Sequence, residues 1–435
     1  MRRDGLLRAI AWLAFASVCL APFVAGAVYR SVWIPLAQFW LLLGGLTAVI
    51  RWRGAAEGGP DYAGVAVSRA LLPIHALFAV QLTPMPAALL RLLSAGSHAA
   101  HFLPDPGDGR FRPLSVSPLA TIEAWLYVAG LQGLFLALLG FPIKQRRTVL
   151  HALIAVILLL AGEGLWQSRS SHPHHLYGRI QIAVPSGFET AVFGPYLNRN
   201  HFATPMAIGA GLAAGLGASL VLENGGAVRL LHLPGAMARA ILLVGASLFL
   251  TVTAAASGSR SGALAALAAL GVVALRTFGK WPLVTTLIAG TAIVTLTGSA
   301  TFERFMRLDV VQSRWAPWLD MTTLLRFFPI FGSGIGTFAA AYWPYQRNAT
   351  FEFWQHAHND YLQWLVEAGV LGLVALGLVV RRLRRDLKCL ESARECCLAV
   401  AGAFAVQAFL DFPAHVPASA GMLVCVLALS TARRD

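Results

Sequence analysis

The 435-residue sequence predicts an all-α polytopic membrane protein with about twelve transmembrane helices. Three observations predict it. Hydrophobic residues make up 57% of the chain and charged residues 12%, where soluble domains average roughly 45–50% and about 25%. The apolar runs are continuous and close to the ~20 residues that a bilayer-crossing helix needs, without the alternation of a barrel strand. Basic residues gather in short clusters between those runs.

Taken in order, spans are expected near 6–28, 32–50, 63–83, 119–140, 148–166, 201–222, 239–255, 262–276, 281–298, 361–380, 396–412 and 415–431. The first is too long, and too closely followed by others, for a cleaved signal peptide. Span 63–83 carries Arg69 and His75, read as facing the bundle interior or as structural. Placing the N-terminus in the cytoplasm sets 20 of the 34 basic residues at cytoplasmic ends, among them Arg381, Arg382, Arg384, Arg385 and Lys388. Both termini are then cytoplasmic, and residues 1–435 form a single integral-membrane domain. The large loops, at about 84–118, 167–200 and 299–360, fall on the exterior face. Within the first, Ala87–Ala100 has an amphipathic pattern suited to lying along the interface. This distribution makes the net charge of +14 a matter of topology, not of nucleic-acid binding. None of the five cysteines, Cys19, Cys389, Cys396, Cys397 and Cys425, falls in an exterior loop. Neither a disulfide framework nor a cysteine metal site is expected.

The polar residues that invite chemistry lie on that exterior face. His356-Ala-His-Asn-Asp-Tyr-Leu-Gln363 stands where the third loop enters span 361–380. His358 is the acid–base candidate, because a neutral imidazole takes a proton from a hydroxyl near neutral pH. The plainer reading is a helix-cap or interface histidine. His356 shares a face with it only if the segment is extended. Metal binding is a third reading, but no H-E-x-x-H or cysteine set closes a site. Asn359 and Asp360 suit a helix cap. Glu367 either orients a partner or pairs within its helix. Asp411 and His415 flank Pro413 at a span boundary, as support for His358 or as a capped, kinked helix end. Arg260 in Ser-Gly-Ser-Arg, Arg199 in Asn-Arg-Asn-His and Arg314 in Ser-Arg-Trp are each either anion ligands or packing and snorkelling residues. The run Gly332-Ser-Gly-Ile-Gly-Thr-Phe338 fits a tight turn better than a phosphate cradle.

Together these residues resemble the bacterial O-antigen ligase and O-antigen polymerase superfamily. The resemblance rests on Asn198–Ala203, Ser259-Arg260, Arg314-Trp315, Phe331–Phe338, His356–Gln363, Val366–Gly372 and Asp411–His415. It implies a GT-C-like glycosyltransferase of the inner membrane, with the active site facing the periplasm and no cofactor or metal. The implied donor is an undecaprenyl-diphosphate-linked glycan, and the implied acceptor a lipid A-core hydroxyl. An O-antigen or exopolysaccharide polymerase, with a growing glycan as acceptor, is the alternative. Membrane lipids are the remaining partners. By motif, His358 corresponds to the family's base and Arg260 to its diphosphate ligand, with Arg199, Arg314, His356 and Asn359 as substrate-binding candidates. Asp411, His415 and Glu367 are expected to support them. A twelve-span transporter is the rival of another class, disfavoured because the polar motifs crowd one face and not the midplane.

Overall fold

A computed structural model describes residues 2–55, 62–102, 111–181, 192–279, 309–346 and 354–433. The first half contributes α1 (Arg2–Leu20), α2 (Arg30–Ala55), α3 (Tyr62–Leu82), α4 (Ala87–Leu93), α5 (Ala95–Phe102), α6 (Pro118–Leu138), α7 (Ile143–Gln167) and α8 (Arg199–Glu223). The second contributes α9 (Ala227–Leu230), α10 (Pro234–Ala256), α11 (Arg260–Phe278), α12 (Asp309–Phe327), α13 (Phe338–Tyr342), α14 (Asp360–Asp386), α15 (Arg394–Leu410) and α16 (Pro417–Leu429). Among the described residues, ten helices are long and apolar enough to cross a membrane: α1, α2, α3, α6, α7, α8, α10, α11, α14 and α15. The chain is thus an all-α, multi-pass membrane protein. The expected span 281–298 lies outside the described residues. The expected span 415–431 is α16, only 13 residues long. Its far end nevertheless returns to the level where α15 starts, because β2 (Thr431–Arg433) pairs antiparallel with β1 (Leu387–Cys389).

Small residues decide how closely the helices approach. α8 packs against α10, α11 and α15 and is the most enclosed of the spans. A Cβ on Gly215 would sit 2.5 Å from the backbone of Cys396, and one on Gly262 would sit 2.2 Å from the Ala203 side chain. Glycine and alanine at these crossings let backbones touch, which is how helices gain contact where lipid is as apolar as the helix face.

α14 is interrupted. Gly369 leaves helical geometry at φ 60° and ψ −164°. The chain segment before α13 fills the break: Val370 and Leu371 donate to the carbonyls of Pro329 and Ile330, while Ser333 and Gly334 donate to those of Val366 and Glu367, all at 3.0 Å. The backbone groups freed by the kink therefore keep partners, as burial demands. Two left-handed glycines make the approach possible, since a Cβ on Gly369 would lie 2.4 Å from the Ile330 carbonyl oxygen and one on Gly332 only 2.1 Å from that of Glu367.

The two polar residues of span 63–83 part ways. His75 does face the interior, accepting from Trp125 at 2.8 Å and meeting Gln132 at 2.7 Å. Arg69 does not: it is exposed, and its carbonyl accepts a bond from Arg382 in the basic cluster at the end of α14. A long arginine near a span end reaches water by leaning outward. The third large loop is also less open than the sequence suggests, since α12 runs through it. The amphipathic stretch 87–100 divides into α4 and α5 at Ser94, with Leu90 fully buried and Leu92 80% exposed.

Candidate active site

Three helix starts and one helix end converge. α14 begins with Asn359 as its cap, whose Oδ1 accepts from the Leu362 N–H at 3.0 Å. α8 begins with Asn198, accepting from Asn200 at 2.9 Å, and α11 with Ser259, accepting from Gly262 at 3.1 Å. These side chains satisfy N–H groups that the first helical turn leaves open. Arg199 and Arg260 are therefore both first residues of capped helices. The two caps are joined, because the Ser259 hydroxyl donates to Asn200 Oδ1 at 2.7 Å. Gln407, one turn before the end of α15, donates to Ser261 Oγ at 3.3 Å. The positive ends of two helix dipoles and two arginines are thereby gathered at the end of α15, an arrangement that favours anions.

Beyond α15, the turn 411–415 is laced to the loop 356–360. His358 Nδ1 meets Asp411 Oδ1 at 3.0 Å, and His415 Nδ1 meets Asp360 Oδ1 at 2.9 Å. Each segment thus supplies a histidine to the other's aspartate. Phe412 sits among the rings, with centroids 4.4 Å from His356, 4.8 Å from His358 and 4.9 Å from His201. Despite the four histidines, no group of three or more His, Cys, Asp or Glu among the described residues is arranged to hold a metal ion.

The hydrogen bonds separate three of these histidines by tautomer. Gln363 accepts from the Ala357 N–H at 3.0 Å through Oε1, so its amide nitrogen faces the other way. That nitrogen lies 3.2 Å from His356 Nδ1, 3.2 Å from His415 Nε2 and 3.1 Å from Glu367 Oε1. An NH2 group only donates, so in a neutral ring the nitrogen that faces it is the unprotonated one. His356 then carries its proton on Nε2. His415 carries its own on Nδ1, toward Asp360, and its Nε2 lone pair is occupied. His358 also points a protonated Nδ1 at a carboxylate, but its Nε2 makes no hydrogen bond within the described residues. It alone of the three holds a basic nitrogen that no described residue engages.

Backbone and charge follow the same pattern. His358 has φ 51°, a left-handed conformation that costs a non-glycine residue roughly 1–3 kcal/mol and gathers at functional sites. Burial, with the neighbouring histidines, pushes the His356 pKa well below the ordinary value. For His415 burial acts in the same sense, but the hydrogen bond and charge of Asp360, with Glu367, carry the pKa above the ordinary value. Outside support comes from Trp318, which donates to the Ala357 carbonyl at 2.8 Å, and from Trp354, whose ring stands edge-on to His358 at 5.4 Å.

The glycine run resolves as a turn. Glu367 accepts from the N–H groups of Gly336 and Phe338, each at 2.9 Å, and Gln81 of α3 accepts from Ile335 at 3.0 Å. Donors that a phosphate cradle would need are held by Glu367. Glu367 and Asn359 therefore have structural partners, and so do Asp411, Asp360 and His415. The side chain of Arg314, on α12, lies outside the described residues. Sequence reasoning missed Gln363, Phe412, His201 and Gln407 as participants. Gln363 carried a signal: Asn359, Gln363 and Glu367 recur at a spacing of four and share one helix face.

The O-antigen ligase family model matches residues 245–377, nearly a third of the chain. The match runs from within α10 to within α14 and includes Arg260, Arg314, His356, His358, Asn359 and Glu367. It bears out the resemblance to the O-antigen ligase and polymerase superfamily. No curated protein matches the chain significantly.

Proposed function

We propose that the protein transfers a glycan from undecaprenyl diphosphate to a hydroxyl of lipid A-core, at the periplasmic face of the inner membrane. One observation carries this reading: the Nε2 of His358, which no described residue engages and which Asp411 orients from behind, lies at the end of the bundle where the capped starts of α8 and α11 carry Arg199 and Arg260.

In this reading His358 Nε2 removes the proton of the acceptor hydroxyl as its oxygen attacks the anomeric carbon. The bond from that carbon to the phosphate oxygen breaks, and its electron pair leaves with undecaprenyl diphosphate. Attack opposite the leaving group inverts the configuration. Asp411 stabilises the imidazolium that forms, as a buried carboxylate on the other ring nitrogen does in hydrolytic triads. Arg260 and Arg199, with the two helix N-termini, meet the growing charge on the leaving oxygens, and guanidinium groups suit that geometry. Arg314 and His356 are assigned to the substrate side, Asn359 to holding the loop.

The test is reconstituted transfer from a polyprenyl-diphosphate glycan, with lipid A-core and a second lipid-linked glycan offered in separate reactions. Product on lipid A-core is the expected result. A lengthened lipid-linked chain instead makes the protein a polymerase. No product with either, from folded protein, overturns both.

A further inference from the structure

We propose that Gln363 is a positioning residue that selects His358 as the base, by fixing the tautomers of the two histidines beside it. The inference rests on the reading of His358 given above and goes beyond it to a residue that touches no substrate.

His356, His358 and His415 cluster with Phe412, each within 5 Å of a neighbouring ring. Exposure does not distinguish the two that pair with aspartates, since the side chains of His358 and His415 are 24% and 29% exposed. What distinguishes them is one amide. The Ala357 N–H pins Gln363 Oε1, and the NH2 group then offers two hydrogens to three acceptors: His356 Nδ1, His415 Nε2 and Glu367 Oε1. A proton on either facing ring nitrogen would set N–H against N–H. In the neutral rings the amide therefore sets the proton of His356 on Nε2 and that of His415 on Nδ1, and removes their facing lone pairs from competition. The same bond to Ala357 N–H holds the residue before His358, whose left-handed backbone needs bracing on both sides. Asn359, capping α14, braces the other side.

The experiment compares wild type, Gln363→Leu, Gln363→Glu and the same changes on His358→Ala, each purified in nanodiscs. 15N-labelled imidazoles are read by NMR, alongside single-turnover transfer. In wild type, NMR is expected to find His415 protonated on Nδ1 and His356 on Nε2. Gln363→Leu scrambles both tautomers and lowers the transfer rate about 10-fold to 100-fold, the cost of about 1.5–3 kcal/mol for a bond among ionisable groups. Donor KM stays within about twofold, as for an effect on the transition state alone. Gln363→Glu keeps the acceptor for Ala357 but presents a carboxylate to the rings, and draws protons onto the two facing nitrogens. On the His358→Ala background, Gln363→Leu costs nothing further, because it acts through His358. Unchanged tautomers in Gln363→Leu, or losses that multiply on His358→Ala, overturn the proposal. If wild type transfers nothing while the tautomers shift as stated, the functional reading fails and only the tautomer control by Gln363 stands.

Discussion

The two histidine–aspartate pairs make an instructive comparison. His358–Asp411 and His415–Asp360 use the same ring nitrogen, at 3.0 and 2.9 Å, and are exposed to a similar degree. They differ in what the opposite nitrogen meets. For His415 it meets the Gln363 amide at 3.2 Å. For His358 it meets no hydrogen-bond partner within the described residues. A carboxylate behind an imidazole is thus a preparation and not a role, and in the proposed reading the open nitrogen marks which pair does chemistry.

The largest effect expected from this contrast is on His358 itself. His358→Ala lowers glycan transfer about 10²–10⁴-fold, the usual contribution of a general base, while membrane insertion persists. Comparable turnover by that variant erases the distinction between the pairs. Next comes Asp411→Asn, which removes a charge-assisted bond worth about 1.5–3 kcal/mol and slows transfer about 10-fold to 100-fold. Asp360→Asn, its counterpart, is expected to slow transfer by less, measured in the same single-turnover assay. Equal losses for the two would make the pairs equivalent. Arg260→Lys keeps the charge but loses the fork of donors, and lowers kcat/KM for the donor about tenfold.

The smallest expected effect is on stability and depends on pH. The folded-state pKa of His415 is raised, so its pairing with Asp360 stabilises the fold fully below the unfolded histidine pKa and less as pH rises through the raised value. Asp360→Asn should therefore cost about 1 kcal/mol in mildly acidic buffer, and the deficit should narrow on the alkaline side. Thermal unfolding in nanodiscs at the two extremes reads it. A deficit that widens with pH would remove the charge of His415 from the account.

Helix content and the ten apolar helices were legible because each depends on a local run of residues. So was the cap at Asn359, which needs only its own first turn. His358 stood out from motif, but the orientation that sets it apart was not legible. Its reason lies in contacts across 53 residues to Asp411 and, for the competing ring, across 52 from Gln363 to His415. Periodicity contains no such pairing. The kink at Gly369 was hidden for the same cause, since one glycine in an apolar run reads as tolerated until the segment at 329–334 is seen filling the break. The outward lean of Arg69 was not legible because a span assigned by hydropathy does not say which way a side chain points.

The exchanged pairing of the loop 356–360 with the turn 411–415 also bears on synthesis. A ribosome delivers α14 before α15 and α16, so a nascent chain ending ahead of Asp411 holds His358 and Asp360 with neither partner. His358 acquires the carboxylate that orients it only once Asp411 has followed α15 into the bundle. In the proposed reading, a chain stalled before Asp411 lacks the oriented base and is expected to be inactive until the turn 411–415 is in place.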